Sequence, residues 1–290
     1  MSQGMEDSCL QRVRIMMKMN YLKPLLLTIL IYLIVQGLGL WISHGGFGVK
    51  EGVVEKVERG EIQPVVQNPE RVESSIQIFL YIIIVTIMLL FLLRYKFELI
   101  IKIFVGMAFL LGLSFTFWNL LGDIGILVAV LLLVIGIWQR KNLLVMNIIL
   151  IFTVPGIGSW LGASLSLIPA LVLLIILSIY DIISVFGTKH MVKLADGVKG
   201  KMPLMFTIPV EKRILGLGTG DLALPVVFST SIIKSNYSLM NSVFAVIGGL
   251  IGLIFLFIYI TKRRDITLPA LPPIAAGMIL GFCVSIFIYI

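Results

Sequence analysis

The sequence predicts an all-α membrane protein of nine transmembrane helices, with its N-terminus cytoplasmic and its C-terminus extracellular. Three observations carry that expectation. Of 290 residues, 59% are hydrophobic and 13% charged, against roughly 25% charged in a soluble domain. Apolar runs recur that exceed the roughly 20 residues a spanning helix needs. The third is the distribution of Lys and Arg, which alternates from one connection to the next in the way that orients membrane helices. Barrel strands would instead alternate in polarity over about ten residues, so helices are the expected spanning structure. The net charge of +8 is then a topology signal, and no nucleic-acid partner is expected. Cys9 and Cys283 lie at opposite ends of the chain, which suggests neither a disulfide framework nor a zinc site.

Taken in order, Arg12, Arg14, Lys18 and Lys23 precede an apolar run at 24–42. It is longer than a signal-peptide core and no small-residue cleavage site follows, so it is read as the first span. Residues 43–75 are a polar insert with six glutamates, and its glycine-rich start at His44 reads as loop. Spans two to four fall at 76–93, 97–117 and 120–138, with a tight turn at 118–123 between the last two. From 142 to 188 the only formal charge is Asp181, a length suited to two crossings. Pro155, Gly and Ser cluster at 155–166 and place the break there, giving spans at 143–158 and 165–187. A polar loop follows, then spans at 214–233, 239–260 and 268–290. This count divides the chain into a six-helix part (1–188), a cytoplasmic loop (189–213) and a three-helix part (214–290). With the N-terminus inside, 18 of the 23 basic residues fall on the cytoplasmic side, as the positive-inside rule requires.

Two aspartates stand out. Asp181 and Asp221 lie in apolar runs, where an ionisable side chain is costly and is read by default as functional. Asp181 precedes Lys189 by eight residues and Asp221 follows Arg213 by eight. On adjacent antiparallel helices, each would sit roughly 12 Å from the same interface. Two carboxyls at one depth resist ionising together and share a proton. That is the working state of a protease dyad, of a proton relay or of an ion pathway. Gly216, Gly218 and Gly220 precede Asp221 at every second position, and glycines admit another backbone and loosen a helix. Gly248–Gly252 and Gly277–Gly281 have the spacing of close helix packing.

These pieces together resemble the presenilin and signal peptide peptidase family of intramembrane aspartyl proteases. Tyr180-Asp181 is similar to the family's YD motif, Gly218-Thr219-Gly220-Asp221 to its GxGD motif, and Pro269-Ala270-Leu271 to its PAL motif. The stretch 180–196 looks most like the presenilin branch and its microbial, largely archaeal homologues. The resemblance covers spans six to nine by motif and the first five by number alone. It implies an aspartic endopeptidase of the cell membrane with Asp181 and Asp221 catalytic and no cofactor. Tyr180, Gly218, Thr219, Gly220, Pro269, Ala270 and Leu271 would shape the substrate site. Thr219 departs from the large apolar residue usual at x, which bears on cleavage preference.

Implied partners are the bilayer and transmembrane protein substrates. A homo-oligomer is compatible with the sequence, which is silent on accessory subunits. A helical scissile amide is covered, so the substrate must unwind; the β-prone stretch 204–210 is expected to pair with it by strand addition. Proline at Phe206 and Ile208 is expected to abolish cleavage and leave the fold intact. His190 and the lysines of 189–201 read as an interface anchor. The rival readings are a prepilin or preflagellin peptidase, which also uses GxGD, a cation- or proton-conducting transporter or channel, and a non-catalytic substrate chaperone.

Overall fold

The structure, a computed structural model, describes residues 2–45, 51–188, 205–210, 213–262 and 268–289. Its helices are α1 (Ser2–His44), α2 (Val53–Glu58), α3 (Val72–Arg94), α4 (Glu98–Leu121), α5 (Ile124–Trp138), α6 (Leu143–Ala163) and α7 (Leu167–Ile183). A π turn at Ser184–Thr188 and a hairpin of β1 (Met205–Val210) and β2 (Arg213–Gly218) follow. The chain then continues through α8 (Thr219–Lys234), α9 (Leu239–Lys262) and α10 (Leu271–Tyr289). The architecture is helical, as expected, with one two-stranded sheet. Among the described residues, seven helices are long and apolar enough to cross a membrane: α1 over Leu22–His44, α3, α4, α6, α7, α9 and α10. The apolar α5 has 15 residues and α8 has 16.

Three expectations change. The break at 155–166 shrinks to residues 164–166, because α6 runs through Pro155 to Ala163. A proline removes one intrahelical bond, which neighbouring groups in a membrane bundle can offset. On the same turn the Thr116 hydroxyl of α4 donates to the Phe152 carbonyl. The span expected at 214–233 is the second change, since its first five residues belong to β2 and the helix begins only at Thr219. Glycine at 216 and 218 disfavours helix, and pairing with β1 supplies the backbone bonds instead. Third, the insert at 43–75 contains α2, whose Val53, Val54 and Val57 are buried with Ile42, Ile62 and Ala163. Lys56 donates to Asn119 Oδ1 at 3.0 Å and Glu58 accepts from Lys234 at 2.8 Å, so this segment is tied across the ends of α4 and α8.

α8 is the hub of the bundle, packed by α1, α6, α7, α9 and α10. Its Leu222 and the run Pro225–Ile232 are buried. Glycines let its neighbours come close: a Cβ on Gly39 of α1 or Gly158 of α6 would strike Val226. Hydroxyls satisfy one another in the same layer, Ser43 with Thr230 at 2.6 Å and Ser242 with the Ser229 carbonyl at 2.8 Å. α9 and α10 meet backbone to backbone, Gly248 against Gly277 and Gly252 against Pro273, as their spacing predicts.

The hairpin lies against α1 and α6, with Phe206 and Ile208 in the core. Its register pairs Thr207 with Gly216. Thr207 turns its own N–H and C=O to the Asn147 side chain of α6: the N–H donates to Oδ1 at 3.0 Å, and Nδ2 donates to the carbonyl at 2.8 Å. Opposed residues in an antiparallel ladder alternate between pairs that exchange both bonds and pairs that exchange none. Thr207–Gly216 is therefore a non-bonded pair, as are Met205–Gly218 and Pro209–Ile214. Pro209, which has no N–H, falls where none is required.

Candidate active site

The two aspartates sit at helix ends. Asp181 lies two residues before α7 gives way to the π turn, a widened turn that often marks functional positions. The Ser184 hydroxyl donates to the Asp181 carbonyl at 3.0 Å. Asp221 is the third residue of α8, and its Oδ2 accepts the Gly218 N–H at 3.2 Å, reaching back to the N-cap residue as the third helical residue of a capping box does. A Cβ on residue 218 would lie 2.8 Å from that oxygen, so the fold-back of the carboxyl requires glycine there. Gly220 differs: it is exposed, and among the described residues nothing lies within 4 Å of where its Cβ would stand. Thr219, half-buried, is the first helical residue.

The second carboxyl is held in a related way. Pro269 is buried and Ala270 half-buried in the segment before α10. The Leu271 N–H donates to Asp181 Oδ2 at 3.3 Å, with the Ala270 N–H also directed at that carboxyl. Pro272 and Pro273 occupy the first turn of α10, where their missing N–H groups cost nothing. Each carboxyl thus meets the N-terminus of a helix, where unpaired N–H groups and the macrodipole favour negative charge. The half-buried Tyr180 sets its ring edge-on to Phe79 of α3, centroids 6.0 Å apart.

The two aspartates lie at a similar height along adjacent helices, but the reference for that height is not the one expected. The 12 Å distance assumed helix from Arg213 onward, where the chain is strand. At the opposite end the Leu167 N–H donates to Ser235 Oγ at 2.8 Å, aligning the start of α7 with the end of α8. From that bonded pair Asp181 lies fourteen residues along α7 and Asp221 fourteen back along α8, about 21 Å each at helical rise. The helices that carry the pair and its partners pack directly on one another, α7 on α8 and α10 on both. Tyr180, Gly218, Thr219, Gly220, Pro269, Ala270 and Leu271 occupy the segments that carry this pair. His190 and the lysines of 189–201 lie outside the described residues. Among those described, no group of His, Cys, Asp and Glu is placed to hold a metal ion.

One feature escaped the sequence reading. Asn147 is a lone amide in the apolar turn LLVMNIIL of α6; a polar side chain that must find a partner inside a membrane was its only signal. Its contacts also correct the expectation for 204–210. With Thr207 already bonded to Asn147, the edge of the hairpin left unpaired among the described residues belongs to β2. Phe206 and Ile208 are 0% and 2% exposed and bond to β2, so proline there would break the fold as well as any substrate pairing.

A bundle of membrane-length helices with two aspartates at the N-termini of neighbouring helices is compatible with an intramembrane aspartic protease, and comparison with known proteins gives the class. A family model described as signal-peptide peptidase, presenilin aspartyl protease matches residues 52–215 and 210–289, and the chain belongs to that family. It is similar to a solved presenilin family intramembrane aspartate protease in space group C222, with 25% identity and a TM-score of 0.67 over 91% of this chain and 99% of the other. The same description in space group P2 gives 25% identity and a TM-score of 0.56 over 90% and 96%. No curated sequence matches. The protein is a multi-pass membrane enzyme, an aspartic endopeptidase acting within the membrane on transmembrane protein substrates.

Proposed function

We propose that Asp181 and Asp221 are the catalytic pair, holding one proton between them. The ionised member draws a proton from a water that attacks the scissile carbonyl, and the protonated member donates to the carbonyl oxygen. The observation that carries this reading is the convergence of the two carboxyls at the N-termini of α8 and α10, beside the open space at Gly220. Tyr180, Gly218, Thr219 and the Pro269–Ala270–Leu271 segment shape the surround.

The two shorter helices complete nine crossings, with the N-terminus cytoplasmic, the C-terminus outside and the enzyme in the cell membrane. The six-helix part supplies Asp181, and the three-helix part supplies Asp221 and the PAL segment. At 16 residues α8 measures about 24 Å, short of the roughly 30 Å hydrocarbon layer. The hairpin occupies the remaining depth on the cytoplasmic side.

There β2 is the template for the unwound substrate. Its backbone groups at Ile214, Gly216 and Gly218 face away from β1, and the last of these N–H groups already reaches Asp221. A strand added along this edge runs directly toward the carboxyls.

The test uses purified enzyme in lipid or detergent with a single-span peptide that the wild type cleaves. Asp181→Asn and Asp221→Asn are expected to be folded and inactive. Cleavage by either at the wild-type rate would remove the pair from the mechanism.

A further inference from the structure

Asn147 does more than fill a gap in the core. It is buried, and both ends of its amide are committed to one residue of β1, with the Thr207 hydroxyl adding a bond to Oδ1 at 3.3 Å. The N–H and C=O of a single extended residue point the same way, so an amide side chain offers what a neighbouring strand would offer. A carboxylate has no donor, a hydroxyl cannot span both groups, and an aliphatic side chain supplies neither. Asn147 is therefore a one-residue strand, carried on a membrane helix and placed on one edge of the hairpin.

We propose that Asn147 is a positioning residue that determines which bond is cut. It holds β1 at one height against α6, and β1 in turn places β2 through their paired register. It also occupies the middle of β1's outer edge, which leaves β2, among the described strands, to pair with an extended segment entering the site. An unpaired edge accepts strands in more than one register. Closing the wrong edge and pinning the hairpin leave one register relative to Asp221. This rests on the reading of β2 as the substrate template.

The experiment uses the full chain in lipid–detergent micelles and a single-span peptide with cleavage sites mapped by mass spectrometry. Asn147→Leu keeps the branched heavy-atom shape, slightly enlarged, and removes both bonds. It is expected to raise KM about tenfold, the equivalent of roughly 1.4 kcal/mol of template binding, and to spread the product ends over neighbouring bonds. Asn147→Asp keeps the acceptor and loses the donor; it gives the same spread in smaller measure and serves if the leucine variant fails to fold. Asn147→Gln keeps both groups and is expected to restore a single main product. Gly216→Pro, which removes an outward N–H of β2, tests the template separately. Unchanged product ends and KM in the Leu and Asp variants, with only a lower melting temperature, would make Asn147 structural and overturn the proposal. Altered cleavage by those variants with an unaffected Gly216→Pro would instead overturn the template reading.

Discussion

The two glycines of the GxGD motif are chemically identical and structurally opposite, and alanine at each should fail differently. At 218 the added Cβ stands 2.8 Å from Asp221 Oδ2 and 3.4 Å from its Cγ. Ordinary contact would require the carboxyl to retreat by about 0.5 Å, and the cap bond from the Gly218 N–H, 3.2 Å long, would be lost with it. A lost N-cap destabilises by about 1 kcal/mol, and displacement of a reacting group by about 1 Å costs up to roughly 10²-fold in rate. Gly218→Ala should therefore lower kcat by about 10- to 100-fold with a modest fall in melting temperature and little change in KM. Gly220→Ala meets nothing among the described residues, so its melting temperature should match the wild type while KM rises. The assay is steady-state cleavage of a fluorogenic transmembrane peptide, with thermal unfolding of the same preparations. A Gly218→Ala enzyme with kcat within about twofold of wild type would refute the claim that this glycine exists to let Asp221 fold back.

Other outcomes follow from the same contacts. Asp221→Asn and Asp221→Ala should both lose at least roughly 10³-fold in activity, but only alanine removes the acceptor of the Gly218 N–H. Its melting temperature should fall below that of the asparagine variant by an amount equivalent to about 1 kcal/mol. Gly248→Leu drives a side chain into the Gly277 backbone, an overpacking worth about 1–3 kcal/mol or more. Since α10 carries Leu271 at its start, cleavage should fall along with stability. Lys56→Met removes the bond to Asn119 and the ammonium lying 4.6 Å over the Trp118 ring. At the end of the bundle remote from the aspartates this should cost about 0.5–1 kcal/mol and leave kcat and KM unchanged.

Much of this was legible because membrane helices are written in long apolar runs, and a carboxyl inside one announces itself. Asp181 and Asp221 needed no partner to be noticed, and Gly122, at φ 66°, sits in the expected turn between α4 and α5. What escaped depends on partners remote in sequence. Residues 213–218 are apolar enough to pass for the start of a span; only β1 pairing makes them a strand. Pro155 reads as a break until the groups around its turn are known. Asn147 carries no pattern at all, because its meaning lies in a peptide group sixty residues away.

The cap formed by Asp221 has a consequence for descent. The atom that starts α8 is also an atom of the proposed chemistry, so the fold and the reaction place separate demands on position 221. A lineage that abandoned proteolysis but kept the bundle would be free of one demand and still bound by the other. Selection of random variants for folded protein alone should return Asp, Glu, Asn and Gln at 221 in preference to Ala or Leu, because the third helical residue must accept the Gly218 N–H as in a capping box. The start of α8 would then retain a trace of the enzyme long after the activity had gone.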